Sequence, residues 1–100
     1  MNARKQDYVW DGLLASWGLD PNIPLNDLQK GRLRKALKAL HQVGLKSDSP
    51  ESYDEIVRRG ARYRELLGAD WPKFFSVITL AMNWHLYADP IKGPRESRAV

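Results

Sequence analysis

Cysteine is absent from this 100-residue sequence. That excludes a disulfide scaffold, thiolate zinc sites and a cysteine nucleophile. The only histidines, His41 and His85, are too few for a zinc centre without thiolate help. No apolar run approaches the ~20 residues of a membrane-spanning helix. Asp7 and Asp11 interrupt the N-terminal stretch, against the pattern of a signal peptide. The sequence also lacks a glycine-rich phosphate loop, a nucleophile elbow, strand-like alternation and internal repeats. These absences predict a soluble, cytoplasmic, all-α protein with no membrane partner, metal or cofactor.

A further absence is local. From Leu28 to Ser47 there is no Asp or Glu, while Lys30, Arg32, Arg34, Lys35, Lys38 and Lys46 all fall there. Leu33, Ala36, Leu37, Leu40 and Val43 recur in the same segment at helical spacing. One face fits a core, and the other carries charge of a single sign.

The chain is long enough for one hydrophobic core without staples. Residues 1–90 read as a single domain, a compact bundle of about four helices, and residues 91–100 as a flexible basic tail. The net charge of +4 and pI near 9.6 favour anionic partners. Four Trp and four Tyr are many for this length, and core filling is their first use.

The first helix carries Val9, Leu13 and Trp17 on one stripe, with Asp7 as cap and Gly18 as terminator. Prolines 21 and 24 then force a non-helical link. Asn26, with Gln29 three residues on, has capping-box spacing and opens a second helix running to about Val43. Gly31 marks either a late start to that helix or a close backbone approach. Ser49 as cap and Pro50 as first residue open a third helix, which ends at Gly68. Gly60 lies within its apolar stripe and predicts a closely packed neighbour, while Arg58, Arg59 and Arg62 are expected to project away. Asp70 to Phe75 reads as a loop or short turn, with a minor strand pair as the alternative. Ser76 caps a last helix over Val77 to about Ala88, apolar on nearly every side and so central. His85 fits a packed core histidine on that helix.

Asp54 and Glu55 point about 100° apart on a helix, a poor acid–base pair. No nucleophile, base and orienting group stand at workable spacing, so no enzyme and no catalytic residue is expected. Binding remains. The candidate phosphate contacts are Arg32, Arg34, Lys35 and Lys38 on the second helix and Arg58, Arg59 and Arg62 on the third. The link from Gly44 to Pro50 is too long for a tight helix-turn-helix. A different class of function is a protein–protein adaptor or inhibitor of a host enzyme, anchored by exposed Trp10, Trp71 and Phe74. A homodimeric structural module is the third reading.

Three segments carry a resemblance. They are Gly31 to Ala36 in the second helix, Ile56 to Arg64 in the third and Phe75 to Trp84 in the fourth. In order and spacing, over residues 8–88, the chain resembles a small helical module of phage and prophage proteins. That module is often found C-terminal to a winged-helix DNA-binding domain in replication or regulatory proteins. The family usually shows a Thr-Pro cap and ends its last helix Leu-Ala-Lys-His-Trp. Here Ser76, Val77, Met82 and Asn83 stand in place of its Thr, Pro, Lys and His. With no winged-helix segment beside it, the resemblance implies an accessory role. The implied partner is DNA or a nucleoprotein complex, such as a host or phage replication or transcription assembly.

Overall fold

A computed structural model describes residues 6–20 and 22–88 of the chain. The elements are α1 (Tyr8–Trp17), α2 (Asp27–Gln42), α3 (Pro50–Leu67), α4 (Trp71–Phe74) and α5 (Val77–Met82), followed by a 3-10 turn (Trp84–Tyr87). There is no strand among the described residues. The basic tail expected at 91–100 lies outside them.

The helix starts follow side-chain chemistry. The Asp7 carboxylate accepts the Trp10 N–H at 3.0 Å and opens α1. At α2 the Asn26 side chain accepts from the Gln29 N–H at 2.7 Å, and the Gln29 side chain accepts from the Asn26 N–H at 2.9 Å. This reciprocal pair satisfies two otherwise orphaned donors. Ser49 occupies the cap position of α3, yet its hydroxyl donates to Glu51 instead of accepting a backbone N–H. Pro50 supplies the preset first turn. The Ser76 hydroxyl accepts the Thr79 N–H at 3.2 Å and opens α5. Gly18, at φ 81°, turns its N–H back onto the carbonyls of Leu14 and Ala15 and ends α1.

The core gathers Val9 and Leu13 of α1, Leu33, Ala36 and Leu40 of α2, Ile56 of α3 and Val77 and Leu80 of α5. The tightest interface is between α1 and α3. A Cβ placed on Gly12 would lie 3.0 Å from the Ile56 Cβ, and one on Gly60 would lie 2.8 Å from the Ser16 Cβ. Both pairings advance in the same direction, so the two helices run parallel and their N-termini share one end. The Tyr8 N–H reinforces that end, donating to the Ser47 carbonyl at 2.8 Å. Ser16 is buried between the helices and donates its hydroxyl to the Ile56 carbonyl at 3.1 Å. The close neighbour predicted from Gly60 is therefore α1. A second cluster closes the other end, where Tyr63 lies 5.1 Å from Phe75 and 5.3 Å from Tyr87, ring to ring.

Several expectations are corrected. The last helix does not run to Ala88. It stops at Met82, and Asn83 leaves helical geometry at φ −107° and ψ 29°. Asn competes for local hydrogen bonds and tolerates such positions. In the 3-10 turn that follows, residues three apart share a face, so Trp84 and Tyr87 go inward while His85 and Leu86 are exposed. His85 is not a core histidine. Met82 and Leu86 are 68% and 60% exposed, so the C-terminal segment is not apolar-buried all round. Val43 is also exposed, because α2 ends before it and Leu45 returns to the core instead. Gly31 has nothing within 4 Å of a would-be Cβ and serves no close approach. The segment around Trp71, expected as a loop or short turn, forms the single helical turn α4.

Candidate functional site

The cations expected to act together fall into two groups. Those of α2 follow from its one-sided burial. Leu33, Ala36 and Leu40 point into the core, so Arg32, Arg34, Lys35 and Lys38 are left exposed. None of the four is in an ion pair among the described residues. Both ion pairs found there use Glu55, with Arg58 and Arg59.

The α3 arginines stand differently. Arg58 is exposed and pairs with Glu55. Arg59 also reaches Glu55, donates to the Trp84 carbonyl at 3.0 Å and lies over the Trp84 ring at 4.2 Å. Arg62 donates to the carbonyls of Tyr87 and Ala88 at 2.7 and 2.6 Å. Arg59 and Arg62 thus do not project away. Arg59 holds the first carbonyl of the 3-10 turn, and Arg62 holds the last one and that of Ala88 after it, groups a helix end leaves without partners. Arg64, which the sequence reading did not single out, donates to the Ser16 carbonyl at 3.2 Å and covers the Trp71 ring at 4.4 Å. No sequence signal marks these ties, because their acceptors lie 25 to 48 residues away along the chain.

The two groups are not one surface built on neighbouring helices. α2 packs on α1 and α5, and α3 packs on α1 and the C-terminal turn, with no substantial α2–α3 interface. The α2 group also has an apolar companion that the sequence reading placed in the core. Lys35 and Lys38 line a groove of about 260 Å³ between α2 and α5, with Ile78 and exposed Met82 on the other side. That combination can hold an anion at the rim and an apolar group beside it.

The three candidate aromatic anchors are not equivalent. Trp10 and Trp71 are half-buried against the core. Trp71 meets Phe75 edge-on at 5.9 Å and also packs over Gly18. Phe74 is 62% exposed. Burial pushes the Tyr87 phenol above its ordinary value of 10.0, with the nearby Tyr63 adding to the rise. The Ser49 hydroxyl draws the Glu51 carboxyl below its ordinary 4.5, helped by the residue's own backbone N–H. Among the described residues no group of three or more His, Asp or Glu could hold a metal ion. None of their helices is long and apolar enough to cross a membrane. No protein-family model, curated protein or solved structure matches the chain.

Proposed function

We propose that this protein is a phage-type accessory factor that binds nucleic acid, or a nucleoprotein machine, through the exposed basic face of α2. Arg32, Arg34, Lys35 and Lys38 contact backbone phosphates, and Arg58 adds to them at most from the side of α3. The observation that carries this reading is the division of the cations: the α2 side chains are exposed and unpaired among the described residues, while Arg59 and Arg62 serve the fold. Phosphate contacts of this kind fix affinity and not sequence preference. The adaptor reading has weaker support, because two of its three anchors pack against the core and only Phe74 stands out.

The reading gives a definite salt dependence. Four neutralised phosphates on duplex DNA correspond to a log–log slope of about −3.6, or roughly a 150-fold loss of affinity between about 50 and 200 mM salt. Fluorescence anisotropy of labelled duplex and single-stranded DNA at the two salt concentrations tests it. Absence of binding at the lower salt refutes it.

A further inference from the structure

A groove of about 800 Å³ lies between α1 and α3. Tyr8, Asp11, Leu14 and Ala15 of α1 line one wall, and Tyr53 and Asp54 of α3 the other. Among the described residues no Lys, Arg or His lines it, although the chain as a whole carries a net charge of +4.

We propose that this groove docks a Lys- or Arg-bearing segment of a protein partner, with an apolar side chain next to the cation. Three features select that occupant. Both charges on its walls among the described residues, Asp11 and Asp54, are carboxylates, which attract a cation and repel a phosphate. Two tyrosine rings offer faces that attract ammonium and guanidinium groups. Leu14 and Ala15 leave apolar surface for the neighbouring side chain. The helix macrodipole explains only part of the acidity. Its effect fades within the first turn, and Asp54 lies beyond the first turn of α3, where Glu51 already serves that purpose. Asp54 forms no ion pair among the described residues. The docked partner would occupy one face while α2 remains open on another. The inference therefore stands whether or not α2 binds nucleic acid.

The test is a selection of displayed random 12-residue peptides on the intact protein. Each enriched clone is then measured on the wild type and on D11N/D54N. A second variant, Ala15→Arg, places a cation in the groove at an exposed helical position and leaves both carboxylates in place. Circular dichroism checks that each variant is folded. The expected result is a set of clones pairing Lys or Arg with a large apolar residue, whose binding falls at least tenfold on both variants. DNA affinity should be undiminished in D11N/D54N, which separates this site from the α2 face. The proposal is overturned if no enriched clone distinguishes the wild type from either folded variant, or if those that do are acidic.

Discussion

Replacing Gly60 by alanine should destabilise the protein, against the helix preference of the two residues. By propensity alone Gly60→Ala gains up to ~1 kcal/mol in a helix interior. The new Cβ would instead lie 2.5 Å from the Ser16 Oγ and 2.8 Å from its Cβ. The hydroxyl can rotate away only by giving up its bond to the Ile56 carbonyl, worth about 1 kcal/mol. The Cβ overlap then remains, and relieving it means parting α1 from α3 at their closest point. Overpacking of this kind costs about 1–3 kcal/mol. The balance is a net loss of about 2 kcal/mol, or about 10 °C in Tm for a domain of this size. Urea unfolding followed by tryptophan fluorescence measures it. Ser16→Gly removes both atoms in the way, so the double variant G60A/S16G should recover at least ~1 kcal/mol relative to additivity of the single changes. A G60A protein as stable as the wild type, or more so, would refute the close parallel packing of α1 and α3.

The remaining predictions concern caps, arginines and alkaline stability. Asn26→Ala should cost about 1 kcal/mol, because it dismantles a complete capping box. Ser49→Ala should cost measurably less, since Ser49 caps no backbone N–H, and chemical denaturation of the pair decides the order. Arg62→Ala should lower stability by about 1–2 kcal/mol by releasing the Tyr87 and Ala88 carbonyls, and should change DNA affinity less than threefold by anisotropy. A large loss of DNA affinity in a folded R62A protein would return Arg62 to the binding surface. The Tyr87 phenol has a folded pKa raised above its unfolded 10.0, so the stability it contributes is complete below pH 10 and is lost as pH rises through the folded value. Thermal melts at rising alkaline pH should show Tyr87→Phe losing less stability than the wild type.

The parts of this fold written in local chemistry could be read from the chain itself. Asp7, Asn26 and Ser76 cap the helices they were expected to cap, and Gly18 ends the first. Gly60 announced a close neighbour because a missing side chain in an apolar stripe has few other uses. The C-terminal segment was misread for a physical reason. Val77 to Tyr87 is apolar enough for a continuous central helix, yet Asn83 breaks it, and Arg59 and Arg62 donate to the Trp84 and Tyr87 carbonyls of the turn that follows. Partners so distant in sequence leave no periodic trace. The same gap blurred the candidate site. Seven cations were candidates in the chain: the one-sided burial of α2 was enough to predict that Arg32, Arg34, Lys35 and Lys38 stand exposed, and Arg58 stands exposed as expected, but nothing local marked Arg59 and Arg62 as tied to the C-terminal turn.

The most direct test of the central claim is DNA binding by a charge-reversed α2 face, R34E/K35E/K38E, compared with the wild type by fluorescence anisotropy at low salt. The three side chains are exposed, so the variant should remain folded by circular dichroism. The account predicts salt-sensitive binding by the wild type and none by the variant. Binding retained by the folded variant would contradict it.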